Sequence, residues 1–219
     1  MDYNIIATGS DGNAVLIENS ILVDCGVPFK TLKPYVSQLK LVLLTHIHFD
    51  HFNKSTIRKL ASERPTLRWG CGMWLFVDLL DCGVNALNID ILDHDTEYKY
   101  AIASVVPVRL THNVPNQGYK LIYPHGRVIY ATDTNDLYGV TAQDFDLYLI
   151  EANYTDEEIA QRIAEKDAKG EFAYERHVLD NHLSKAKCDE FLTQNKGENS
   201  ECVYLHAHKG GSTDWRAKE

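Results

Sequence analysis

The sequence predicts an α/β fold in which packed strands alternate with helices. Three observations carry that prediction. Short bounded apolar runs such as Leu41–Leu44, Val105–Leu110 and Leu147–Ile150 read as buried strands. Segments with helical character, such as Asn53–Glu63 and Asp156–Lys169 ahead of Gly170, fall between them. Titratable side chains repeatedly follow the apolar runs, as they do along the rim of an open α/β sheet.

Each element has a local reason. Ala14–Glu18 and Ile21–Asp24 flank Asn19-Ser20 and read as a hairpin. Thr31–Gln38 reads as a short helix and Asn53–Glu63 as a longer one. Thr66–Trp69 reads as a strand, followed by a helix over Met73–Leu80 that ends near Gly83. Residues 87–110 read as short strands, Ser104–Leu110 the clearest. Tyr119–Tyr123 and Arg127–Ala131 form a second hairpin across Pro-His-Gly. Asp146–Ile150 reads as a buried strand and Asp156–Lys169 as a charged helix. Ser184–Gln194 reads as a helix with Ser184 as its cap, and Glu201–Leu205 as the last strand. No internal repeat or low-complexity linker interrupts the chain, so residues 1–219 read as one domain. The stretch 154–180 reads as either a lid or a helical surface excursion.

The densest chemistry lies in Thr45-His46-Ile47-His48-Phe49-Asp50-His51, directly after Leu41–Leu44. Alternation sends His46 and His48 to one side and Ile47 to the other while the chain stays extended. Asp50 and His51 fall where it turns toward the helix. Two groups of ligands facing one cavity suit two metal ions better than one. The same placement after an apolar run recurs at His112, Asp133, Glu151 and His206, and rigid strands hold ligands well. His94, His125 and His177 read as ordinary surface residues. Ser10 and Asn13 lie in a Gly-rich turn that reads as a tight turn or as a phosphate-facing one.

The formal charge of −9 argues against extended nonspecific nucleic-acid binding, which needs a basic stripe. A small anionic substrate or a short nucleic-acid end held by metals is compatible with it. Hydrophobic residues make up 44%, ample for a core. The five cysteines, Cys25, Cys71, Cys82, Cys188 and Cys202, are scattered and form no Cys-x-x-Cys pair, which points to a reducing cytoplasm. Cys25, Cys71 and Cys202 lie near strands and read as buried small apolar residues. The sequence shows no signal peptide and no membrane-length apolar run.

These residues resemble the metallo-β-lactamase superfamily over nearly the whole chain. Asp24 in Leu-Val-Asp-Cys-Gly is similar to its first motif, a carboxylate that braces the ligand loop. His46, His48, Asp50 and His51 match the second motif, His112 the third, Asp133 in Ala-Thr-Asp-Thr the fourth, and His206 the last. Ser10-Asp11-Gly12-Asn13-Ala14, Gly118-Tyr119, Ile150-Glu151-Ala152-Asn153 and Asn181-His182-Leu183-Ser184 resemble the YycJ-like group, near tRNase Z and the phosphodiesterases. The ending Leu-His-Ala-His-Lys departs from the more usual His-Leu-Ser type. His206 directly follows the strand, which leaves His208 nearer substrate or solvent. The interval from Asp133 to His182 is too short for the β-CASP insertion of RNase J-like nucleases. No Gly/Pro-rich arm of the tRNase Z kind is present. His48 stands where flavodiiron proteins carry Glu.

The resemblance implies a four-layer αβ/βα sandwich of two mixed sheets flanked by helices. It implies a dinuclear site with His46, His48 and His112 on one ion, Asp50, His51 and His206 on the other, and Asp133 bridging at a metal separation of roughly 3.5–4 Å. Imidazole-rich ligation suits Zn²⁺, and the carboxylates also admit Mn²⁺. The implied activity is phosphodiester hydrolysis through a metal-bridging hydroxide on single-stranded or small nucleic-acid substrates. Asp50 serves the centre, and His182, oriented by Glu151, protonates the leaving group. Ser10, Asn13 and His208 are the candidate substrate contacts. The alternatives are a cyclic-nucleotide or other small-molecule phosphodiesterase, a glyoxalase-like thioester hydrolase, and a metal-stabilised binding protein. A homodimer is an expectation from the resemblance alone, since no interface is legible.

Overall fold

Residues 1–207 are described by the structure, a computed structural model. The chain divides into two compact units, Met1–Pro107 with Leu121–His125, and Val108–Lys120 with the residues from Gly126 on.

The first unit carries β1 (Tyr3–Ala7), β2 (Ala14–Ile17), β3 (Ile21–Val23), β4 (Leu41–Leu44), β5 (Arg68–Cys71) and β6 (Ile89–Ile91). They form one mixed sheet in chain order, antiparallel from β1 to β3 and parallel from β3 to β6. All four β4 side chains are buried. Parallel neighbours flank this strand and both its faces are covered, which is why Leu-Val-Leu-Leu shows no alternation. The β2–β3 turn places Glu18 (φ 47°) and Asn19 (φ 49°) in the left-handed region, one residue earlier than the expected Asn19-Ser20 pair. The expected helix over Thr31–Gln38 is instead α1 (Phe29–Leu32) followed by a 3₁₀ turn, Lys33–Tyr35. Pro34 lies in that turn, and as a residue without an N–H it cannot continue an α-helix. Helix α2 (Lys54–Glu63) is capped by Asn53, whose Oδ1 accepts from Ser55 N at 3.1 Å and Thr56 N at 3.2 Å. Its buried face, Thr56, Ile57, Leu60 and Ala61, meets a core that includes Leu16, Leu44 and Trp69. The Met73–Leu80 helix divides into a 3₁₀ turn and α3 (Phe76–Asp81), ahead of Gly83 at φ 84°.

The second sheet contains β7 (Tyr98–Lys99), β8 (Ser104–Leu110), β9 (Asn116–Tyr123), β10 (Gly126–Ala131), β11 (Leu147–Glu151) and β12 (Glu201–Leu205), in the order β12-β11-β10-β9-β8-β7. It too is mixed: β7–β8 is antiparallel, whereas β10, β11 and β12 run parallel. Ala131 pairs with Ile150 and Ile150 with Tyr204, so these three strands end almost level. Helix α4 (Asp156–Ala168) opens on three acidic residues, Asp156, Glu157 and Glu158, which complement its N-terminal dipole. Helix α5 (Glu175–Asn181) ends at His182, and α6 (Lys185–Asn195) is capped by Ser184 as expected. Leu183, Cys188, Phe191 and Leu192 pack with Ile129, Tyr148 and Ile150 in the second unit's core. Cys25, Cys71, Cys82 and Cys188 are buried free thiols and Cys202 is half-buried. Burial pushes the Cys71 thiol up to about 12, with Asp90 adding to the effect, so this residue behaves as a small apolar group. Among the described residues, no helix is long and apolar enough to cross a membrane.

Candidate metal centre

In the first unit the ligand loop leaves β4 and is held by a buried carboxylate. Asp24 follows β3 with φ 64°, a left-handed conformation uncommon outside Gly, Asn and Asp. It is fully buried. Its Oδ1 accepts from Thr45 N at 2.9 Å, its two oxygens face Thr45 Oγ1 at 3.0 Å, and Oδ2 meets His51 Nδ1 at 2.6 Å. That last contact fixes the proton on Nδ1 and leaves His51 Nε2 with its lone pair. Thr45 Oγ1 also meets His46 Nδ1 at 3.0 Å, which turns His46 Nε2 away from the core.

His46 Nε2 and His48 Nδ1 then lie 3.1 Å apart, while Ile47 packs into the core, as alternation requires. Two nitrogens on one tetrahedral Zn²⁺, each at about 2.0–2.1 Å, stand about 3.3 Å apart. This pair therefore fits a shared ion. His51 Nε2 is 3.7 Å from Asp50 Oδ2 and 2.8 Å from Asn13 Nδ2. Close backbone approach makes this possible: a Cβ on Gly26 would stand 1.7 Å from Asp50 O, so only glycine fits there. Asp24→Ala is expected to lower unfolding free energy by about 2–5 kcal/mol, because it strands the Thr45 and His51 donors in the interior. Metal affinity should fall about 10–100-fold with it. Urea denaturation and metal titration of the same sample check both.

In the second unit the level ends of β10, β11 and β12 bring Asp133, Glu151 and His206 together. One ligand atom from each of Asp133, Glu151, His182 and His206 lies within 4.8 Å of the others. Asp133 (φ 57°) and His206 (φ 54°) both adopt the left-handed conformation just past their strands. Such outliers concentrate at functional sites, where the surroundings hold them. The Asp133 carboxylate divides its attention: Oδ1 is 3.9 Å from His112 Nε2 and 3.5 Å from His182 Nδ1, and Oδ2 is 3.5 Å from His206 Nε2. His112 has its Nδ1 2.9 Å from Asn181 O, so Nδ1 carries the proton and Nε2 presents its lone pair.

His182 is set apart by its surroundings. Its Nδ1 meets Glu151 Oε1 at 2.7 Å, and its ring stacks on His206 at 5.2 Å between centroids. The side chain is 16% exposed, against 2% for His112 and 5% for His206. Burial pushes the Glu151 carboxyl up. The His182 charge and hydrogen bonds from His182 and His206 outweigh that and hold it below the usual carboxylate range. Burial pushes His182 down, but the Glu151 charge and hydrogen bond, with Asp133 behind them, carry it above the ordinary imidazole value.

The weaker candidates are placed differently. Asn13 is buried and its carboxamide is engaged by Gly9 and the Asp50–His51 turn; Ser10 is exposed. His208 lies outside the described residues. His125 and His177 are exposed, whereas His94 is half-buried with its Nε2 inside and its ring 6.0 Å from that of Trp74. Sequence reasoning missed Asn116, which donates to Asp133 O at 2.6 Å, and the contact of Asn153 with His206 O at 2.7 Å. No local sequence signal marks either contact, since the partners lie 17 and 53 residues away.

Comparison with known proteins bears on the family and the fold. The family model described as beta-lactamase superfamily domain matches residues 19–184, well over half of the chain. Among solved structures, the chain is similar to the short form of human tRNase Z (ELAC1), with a TM-score of 0.68 and 14% identity over 95% of this chain and 93% of that one. It is similar to the metallo-beta-lactamase fold protein YhfI from Bacillus subtilis, with a TM-score of 0.70 and 14% identity over 96% of this chain and 87% of that one. It is also similar to a diphosphatase from the PhnP family, with a TM-score of 0.64 and 12% identity over 94% and 85%. At such identities these likenesses show the fold, two mixed sheets with flanking helices. No curated protein matches the sequence. The match of the family model over most of the chain establishes that this protein belongs to the metallo-β-lactamase superfamily of metal-dependent hydrolases.

Proposed function

We propose that this hydrolase is a phosphodiesterase with a dinuclear centre, acting on single-stranded or small nucleic-acid substrates. In this reading His46, His48 and His112 would hold one ion and Asp50, His51 and His206 the other. Asp133 serves both. Two bound divalent ions, Zn²⁺ by the donor set and Mn²⁺ as the alternative, would supply Lewis acidity and a water acidified toward neutral pH.

The observation that carries the phosphodiester reading is the His182–Glu151 pair at 2.7 Å beside Asp133 and His206. An alkoxide leaving group needs a proton, and thioester hydrolysis does not. Glu151 anchors the proton on Nδ1, so the opposite ring nitrogen, Nε2, is the atom that exchanges a proton with substrate. The greater exposure of this ring than of its neighbours suits that role. Phe49, between His48 and Asp50, is 72% exposed and offers a face on which a base can stack. The segment 154–180, with α4 and α5, leads straight into His182 and is the proposed lid. Ser10 and His208 are the proposed substrate contacts, and Asn13 serves the ligand turn. The names of two similar proteins, a tRNase Z and a diphosphatase, are in keeping with phosphate ester or anhydride chemistry.

A small-molecule phosphodiesterase is the second reading, favoured by the formal charge of −9 and by the PhnP-family likeness. Competitive turnover of 5′-labelled single strands and cyclic nucleotides, with defined Zn²⁺ or Mn²⁺, separates the two. Preferred cleavage of the strands supports the first reading and preferred cleavage of the cyclic nucleotides the second. No turnover of any phosphodiester, with Asp50→Ala as the blank, removes both.

A further inference from the structure

Three buried asparagines donate to main-chain carbonyls around the candidate ligands. Asn116, the first residue of β9, donates through Nδ2 to Thr132 O at 3.1 Å and Asp133 O at 2.6 Å. Asn153, two residues beyond β11, donates to His206 O at 2.7 Å, and the same nitrogen is 3.2 Å from the ring Nδ1. Asn13 donates to Gly9 O at 3.1 Å and Asp50 O at 3.2 Å while its Oδ1 accepts from Gly9 N at 2.9 Å. Each amide nitrogen has a main-chain carbonyl among its acceptors, which cannot donate, so the amide orientation is fixed by its partners; the nitrogens of Asn13 and Asn153 also approach ring nitrogens, His51 Nε2 at 2.8 Å and His206 Nδ1 at 3.2 Å.

The arrangement answers a specific need. Asp133 and His206 hold φ values of 57° and 54°, a conformation that L-residues resist. The carbonyl oxygen of such a residue moves when φ and ψ relax, and the side chain moves with it. The Asp133–Thr134 peptide is pinned at both polar ends: Asn116 donates to its C=O, and its N–H donates to Glu151 Oε2 at 3.0 Å. The His206 carbonyl is pinned by Asn153. The Oδ1 atoms of Asn116 and Asn153 are buried and accept no hydrogen bond from the described residues. Donation to the ligand carbonyls is thus achieved while the acceptor half of each amide is left unsatisfied, which is unfavourable unless the donor half has a purpose.

We propose that Asn116 and Asn153 are positioning residues that fix the backbone of Asp133 and His206 and so set the metal affinity of the centre. The proposal rests on the reading of Asp133 and His206 as ligands. The test is titration of folded apoprotein with Zn²⁺ and Mn²⁺ against a chelating indicator, for wild type, Asn116→Leu, Asn153→Leu and the corresponding Ser variants. Apoprotein melting temperature and the Co²⁺ absorption spectrum are recorded on the same samples. The expected result is binding weaker by about 10–100-fold in each Leu variant, an intermediate loss in the Ser variants, which keep one donor, and an altered Co²⁺ spectrum. Wild-type affinity and spectrum in the variants would overturn the proposal, even where the apoprotein melts lower, because the asparagines would then serve the fold alone. Where a Leu variant does not fold, its Ser counterpart decides by the same criterion. A wild-type protein that binds no metal would remove the ligand reading itself, an outcome distinct from failure of the clamp.

Discussion

Asp133→Asn is expected to drop bound metal from about two equivalents per chain toward one, and phosphodiester hydrolysis by about 10³-fold or more. Asparagine keeps the size of the side chain and tolerates the left-handed backbone at this position, so the apoprotein should fold as before. What changes is the second oxygen. Asp133 Oδ1 faces His112 and His182 while Oδ2 faces His206, so one carboxylate addresses imidazoles on either side of it. An amide presents one oxygen and one NH₂, and the NH₂ repels a cation from whichever side it occupies. Metal analysis after dialysis, alongside steady-state turnover, reads both effects.

His182→Ala is expected to lower kcat by about 10²–10⁴-fold on substrates with an alkoxide leaving group. Metal content should stay at the wild-type level, since Glu151 and not an ion holds Nδ1 of His182 at 2.7 Å. The loss should shrink sharply with a nitrophenyl ester, because a nitrophenolate departs without a proton. Paired assays on a dinucleotide and a bis(nitrophenyl) phosphate give the ratio directly. Equal losses on both substrates would assign His182 to architecture, and no loss on either would return thioester chemistry to consideration.

How far the sequence led follows from which interactions are local. Bounded apolar runs located β4, β8, β11 and β12, and burial on both faces accounts for the unbroken runs of β4 and β11. The histidine motif was legible because metal ligands must be polar and closely spaced. β5 extends through Gly70 and Cys71, beyond its expected end at Trp69. Gly70 looks like a breaker in sequence, yet Leu43 and Leu92 lie within 2.8 Å of where its Cβ would be, so the neighbours need the space. β9 begins at Asn116 rather than Tyr119, because its polar opening residues, Asn116 and Gln117, are buried. Helix α5 went unread because only Glu175 and Val178 of its seven residues are buried, leaving no apolar periodicity. The left-handed turns at Asp133 and His206 could not be read at all. Each is held by an asparagine far away in sequence, at separations of 17 and 53 residues. Asparagine in a sequence reads as a turn residue unless its partner is known.

The central claim is that seven side chains, His46, His48, Asp50, His51, His112, Asp133 and His206, together hold a pair of divalent ions. Elemental analysis of stripped protein reloaded with excess Zn²⁺ or Mn²⁺ and desalted tests it most directly. About two ions per chain, falling in Asp50→Ala, is the predicted result. One ion or none per folded chain, under every loading condition, would contradict it.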